Sequence, residues 1–98
     1  MTEYIFLMHD DAIDNVDEDS WEPYLSKLKQ GGFLQGGSAI GDGACARKSG
    51  TPGSVTEHLT GYVLVDADSL DQAKSLLIGN PVFEADGTVE VRELPQTD

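Results

Sequence analysis

Cysteine is nearly absent: Cys45 stands alone among 98 residues, which excludes an intramolecular disulfide and a cysteine-rich zinc site. Positive charge is also scarce. Six basic against eighteen acidic side chains give a net charge of −12, which opposes binding to phosphate backbones and anionic lipid surfaces. Nucleic acid and membrane are therefore not expected partners. No apolar run approaches the roughly 20 residues needed to span a bilayer. The first residues lack the basic-then-apolar layout of a signal peptide, so a cytoplasmic location is the expectation. Only two histidines occur, His9 and His58, and neither stands at metal-ligand spacing from the scattered acids. The acids at 10–19 lack the turn glycine and terminal glutamate of a calcium loop. No metal and no cofactor is expected.

What is present reads as one domain over 1–98, of a size that leaves little room for a fully enclosed site in a single chain. Residues 3–9 (EYIFLMH) are apolar and aromatic, as in a strand buried on both faces. Asp10, Asp11, Asp14, Asp17, Glu18 and Asp19 then form an acidic, hydrated loop. Trp21, Tyr24, Leu25 and Leu28 fall at i, i+3, i+4 and i+7, which predicts a helix with one apolar face. Ser20 is its expected N-cap, with Pro23 in the first turn, where no N–H is lost, and Gly31 and Gly32 as its stop.

The pattern then repeats. Residues 33–40 predict a second strand, in which Gly36 and Gly37 mark a bulge or a close backbone approach. Residues 41–56 are loop-like, with a short strand expected at 44–48. Gly61 to Val65 predicts the third strand. Ser69 and Gln72 form a capping box ahead of a second helix with Leu70, Ala73, Leu76 and Leu77 on its apolar face, ended by Gly79 and Pro81. Residues 88–94 alternate Val89 and Val91 with Glu90 and Arg92, as a strand with one covered and one wetter face does. The order β-α-β, loop, β-α-β is the ferredoxin-like split βαβ arrangement of an α+β domain with an antiparallel sheet. Helices cover one face of that sheet. The apolar character of strands one and three calls for cover on the other face as well, most economically by a second copy in a homodimer.

The first strand ending in Asp10, Trp21 with Tyr24 and Leu25, GGFLQGG at 31–37, LTGYVLVDADSLDQA at 59–73 and GTVEVREL at 87–94 together resemble the YCII-related family, and within it the DGPF-type branch, of the dimeric α+β barrel superfamily. The resemblance implies a ferredoxin-like protomer that dimerises through its sheet, with a cleft between sheet and helices. Two departures stand out. Where DGPF-type members carry Asp-Gly-Pro-Phe, this chain has Ser49, Gly50, Thr51 and Pro52. Where enzyme-like members carry a histidine at the start of helix one, it has Trp21, so of the implied histidine–aspartate pair only Asp10 is present.

An acid–base enzyme needs a group that titrates near neutrality, and His9 beside Asp10 is the candidate pair, because a carboxylate orients an imidazole. Adjacent strand residues point to opposite faces, so the two meet only if the strand ends between them. Trp21 and Tyr24 are core residues by spacing but combine an apolar body with a polar tip, as a cleft wall requires. Arg47 and Lys48 beside the glycine-rich loop are candidate anion contacts. Arg92 is one too, if it lies on the sheet surface, where burial demands a partner. Gly41, Gly43 and Ala46 match a dinucleotide fingerprint in form, but no helix runs through SGTPG at 49–53. Three functions fit. A small molecule bound in the cleft comes first, then an acid–base enzyme of the lyase, isomerase or dehalogenase type using His9 and Asp10, then a protein-interaction module.

Overall fold

The computed structural model describes residues 1–96; the last two residues of the expected domain lie outside the described residues. Strand β1 (Thr2–His9) leads through an acidic loop and a single 3-10 turn (Glu18–Ser20) into helix α1 (Trp21–Gln30). Strands β2 (Leu34–Ala39) and β3 (Leu59–Ala67) follow, then helices α2 (Leu70–Ser75) and α3 (Pro81–Glu84) and strand β4 (Val89–Leu94). The sheet order is β2-β3-β1-β4, with every neighbouring pair antiparallel. This is the expected α+β, ferredoxin-like arrangement.

Alternation along the two central strands builds the core. Tyr4, Phe6 and Met8 of β1 and Gly61, Val63, Val65 and Ala67 of β3 are buried, and Tyr24 and Leu28 of α1, with Ala73, Leu77 and Val82, pack onto the same face. Ile5, Leu7, Tyr62 and Leu64, which alternate with them, pair across β1 and β3 on the opposite face and are only half-buried. The molecule is 19 Å thin along its shortest axis, the depth of one sheet and one helix layer. Within the chain, β1 and β3 are therefore covered on one face, not two.

The glycines of β2 have separate causes. The β2–β3 register slips between Leu34 and Gly36, a bulge, while a Cβ on Gly37 would stand 2.7 Å from the Tyr62 carbonyl oxygen. A second slip between Met8 and His9 passes over Thr60 in β3, so the sheet is irregular where its central strands meet the acidic loop.

Four local expectations need correction. No strand forms at 44–48; residues 41–58 run exposed and without regular structure. Ser20 caps nothing with its side chain: its hydroxyl donates to Asp17, and Asp17 accepts the Asp19 N–H to open the 3-10 turn that precedes α1. Leu70, at the first position of α2, is exposed, and only Ala73 of that helix is buried. Gly79 and Pro81 do not end the second helix, because α2 already stops at Ser75. Pro81 starts α3, where its missing N–H costs nothing, and Asn80 is the N-cap, accepting from Val82 N at 3.0 Å and Phe83 N at 3.1 Å. At Ser69 the cap forms as expected, its hydroxyl accepting the Gln72 N–H, while the Gln72 side chain accepts from the N–H of Asp68, one residue before the cap.

Asn80 is fully buried, so removing its side chain leaves two backbone donors without an acceptor, the Val82 N–H buried and the Phe83 N–H partly so. Asn80→Ala is expected to lose about 2–3 kcal/mol in urea unfolding, against about 1 kcal/mol for Ser69→Ala at the exposed cap of α2. Equal losses at the two caps would contradict this account.

Candidate functional site

Helix α1 stands off the β2 side of the sheet, and the acidic loop closes one end of the gap. The result is an open cavity of about 900 Å³. Its apolar wall comes from Met8 and Val63 on the sheet, Trp21 and Leu25 on α1, Val16 in the loop and Val82 on α3. Small residues floor the β2 side: Gly36, Gly37, Ser38 and Ala39, facing Gly61. The cavity exists because these strand positions carry almost no side chain. Asp10, Asp14, Asn15 and Glu18 supply the polar rim.

The loop is less free than its charge suggests. Asp11 Oδ1 accepts the Thr88 backbone N–H at 2.7 Å and Oδ2 the Thr88 hydroxyl at 2.6 Å. Ile13 N and Asp14 N both donate to the Ala85 carbonyl. The hydrated-loop expectation therefore holds for only some of its acids, since this segment is tied to the turn before β4. The two Thr88 bonds, the side-chain one foremost, hold the Asp11 carboxyl below its ordinary value.

The structure divides the six sequence candidates. His9, Asp10 and Trp21 line the cavity. Tyr24 does not: it is buried in the core with its hydroxyl donating to the Leu76 carbonyl at 2.8 Å, and burial pushes its pKa up to about 12. Its ring meets Trp21 edge-on, with centroids 6.1 Å apart, so it backs the wall without forming it. Arg47 lies in the exposed 41–58 segment and donates to the Thr51 carbonyl at 3.2 Å. Arg92 is exposed on β4 and paired with Glu90 at 3.1 Å. Neither lines the cavity.

His9 and Asp10 share the cavity wall, and β1 does end between them, yet no side-chain hydrogen bond joins them, because the His9 imidazole is held by Glu90. His9 Nε2 lies 3.1 Å from Glu90 Oε1, and its ring meets His58 edge-on at 4.8 Å. Arg92, then His9, hydrogen-bond to Glu90 and lower its pKa. Sequence reading missed Glu90 as the partner of His9. The alternation of β4 was visible, but the register that sets Glu90 opposite Leu7, beside His9, was not. Among the described residues no cluster of three or more His, Cys, Asp or Glu is placed to hold a metal ion.

The family model for the YCII-related domain matches residues 5–97. The chain belongs to the YCII-related family. No curated protein sequence matches it. Among solved structures, the 5-chloro-2-hydroxyhydroquinone dehydrochlorinase TftG of Burkholderia phenoliruptrix AC1100, in complex with 2,5-dihydroxybenzoquinone, is similar, with a TM-score of 0.57 and 17% identity over 99% of this chain and 96% of that one. At that identity the likeness shows a shared fold. No helix of the described residues is long and apolar enough to cross a membrane.

The Asp11–Thr88 latch predicts a pH effect of definite sign. A carboxyl held low in the folded state stabilises above its unfolded pKa, and that contribution fades as pH falls through the lowered folded value. Thr88→Val removes the hydroxyl bond and keeps the backbone one. The Asp11 carboxyl, followed by carbon NMR, is expected to titrate closer to the ordinary 3.8 in that variant. An unchanged Asp11 titration would refute the latch.

Proposed function

We propose that this YCII-related protein binds a small, mainly apolar molecule in the cavity between its sheet and α1, and does so as a homodimer. The observation that carries the reading is the cavity itself: about 900 Å³, walled by Met8, Trp21, Leu25 and Val63, with its carboxylates along one rim and few other polar groups. That volume lies within the ~300–1,000 Å³ of small-molecule sites, and apolar walls with a few polar groups are their usual lining. A cleft filled by the chain's own side chains would have favoured an interaction module, and this cleft is open. The homodimer is supported by the half-buried Ile5, Leu7, Tyr62 and Leu64 on the face without helices. Arg47 and Arg92, outside the cavity, are not assigned to the ligand.

A second reading, acid–base catalysis, is favoured by one specific observation: His9 and Asp10 both line the same cavity. In that role Asp10, free of any side-chain hydrogen bond among the described residues, is the base, and His9, oriented by Glu90, assists it. The similar structure is a dehydrochlorinase, which makes chlorinated hydroquinones the first substrates to try. Chloride release abolished by both Asp10→Asn and His9→Gln would favour catalysis over binding alone.

Trp21 is the only tryptophan and stands in the cavity wall, so its fluorescence reports on occupancy. Screening a small-molecule library by thermal shift is expected to yield compounds that also shift the Trp21 emission saturably; at 100 times Kd the stabilisation is about 2.7 kcal/mol. Ala39→Phe, which fills the floor from an exposed position, is expected to abolish both effects with little loss of stability. Compounds that stabilise the protein without moving Trp21 emission, and equally in Ala39→Phe, would contradict a ligand in this cavity.

A further inference from the structure

The rim of the cavity is charged with one sign only. Of the six acids at 10–19, Asp11 is bound to Thr88 and Asp17 caps the 3-10 turn. The three that line the cavity, Asp10, Asp14 and Glu18, have neither an ion pair nor a side-chain hydrogen bond among the described residues. No arginine or lysine answers them there. Lys27 and Lys29 lie at the far end of α1, Lys74 is on α2, Arg47 and Lys48 are in the exposed 41–58 segment, and Arg92 pairs with Glu90; none lines the cavity. His9 is the one lining residue that can carry positive charge, and its Nε2 is already held by Glu90. The half-buried indole of Trp21, three residues after Glu18, adds an aromatic face to the same wall.

Resting on the cavity being a ligand site, we propose that its ligand is an organic cation: an ammonium or amidinium group on an apolar body, with the body against Met8, Leu25 and Val63 and the charge among Asp10, Asp14 and Glu18. The apolar wall gains by covering the body. Three unpartnered carboxylates beside an aromatic face attract a positive head by Coulomb and cation–π forces together. The same rim repels a carboxylate or phosphate, and the cavity offers such a group no fixed cation. A single pair of opposite charges about 4 Å apart changes affinity about fivefold in bulk water, and more where a wall excludes solvent.

Three probes of one shape test this: 4-phenylbutylamine, 4-phenylbutan-1-ol and 4-phenylbutyrate, titrated calorimetrically at low salt. The amine is expected to bind at least about tenfold tighter than the carboxylate, with the alcohol between them. In the D14N/E18Q double variant that ratio should fall at least about fivefold, with the affinity of the alcohol changing less than that of the amine. The net charge of the whole chain also favours cations, so D71N/E93Q removes the same charge from outside the cavity; there the ratio should persist. Equal affinity for amine and carboxylate, or an equal fall of the ratio in D71N/E93Q, would overturn the charge assignment and leave the cavity standing as a neutral site. If not one of the three probes binds, the cavity reading and the charge assignment fall together.

Discussion

A four-strand sheet with helices on one face only is the constraint on which the rest of this structure depends. β1 and β3 lie at its centre and are apolar on both sides, so the face toward α1 and α2 becomes the core and the other is left with Ile5, Leu7, Tyr62 and Leu64 half-covered. One helix layer is also too little to cover the sheet out to its β2 edge. There the residues shrink to Gly36, Gly37, Ser38 and Ala39, and the uncovered strip becomes the floor of the cavity. Open face and cavity thus have one origin: a chain of 98 residues lacks the material to bury a four-strand sheet completely.

The acidic loop closes what the helices leave open. It is held by hydrogen bonds to Thr88 and Ala85 and carries its remaining carboxylates to the cavity rim. Crowding like charges costs stability. In this chain the cost falls on the wall of the cavity and not on the core, where among the described residues the buried Asn80 is hydrogen-bonded.

Much of the fold was legible in the sequence, for physical reasons that can be named. The apolar run of β1, the heptad-like spacing of Trp21, Tyr24 and Leu28, and the Ser69–Gln72 box each impose one local structure, and their order leaves few topologies. What escaped was governed by partners distant in sequence. Asn80-Pro81 reads as a helix stop or a helix start with equal ease, and its place in the fold, with Asn80 buried against Met8, goes with a start. Asp11 looked like any hydrated acid until the topology brought Thr88 to it. His9 at the end of β1, Asp10 just after it and Trp21 at the start of α1 line the cavity, as residues at the ends of elements around it can. Tyr24 was misplaced by one helical step, since the stripe that faces a sheet has a deep side and a cavity side. Arg47 and Arg92 were chosen for charge, which does not determine position. The family likeness added the cleft between sheet and helices, though not its acidic rim.

Of the two consequences of the half-covered sheet, the open face is the more demanding, because a contiguous apolar patch on two central strands is poorly tolerated by a chain alone in water. A second copy placing its own Ile5, Leu7, Tyr62 and Leu64 against this face would cover it with a self-complementary surface. Multi-angle light scattering at micromolar concentration tests this directly, with Leu7→Glu as its counterpart. The account predicts twice the 10.5 kDa chain mass for the natural sequence and the single mass for the variant. A folded 10.5 kDa monomer of the natural sequence would contradict it.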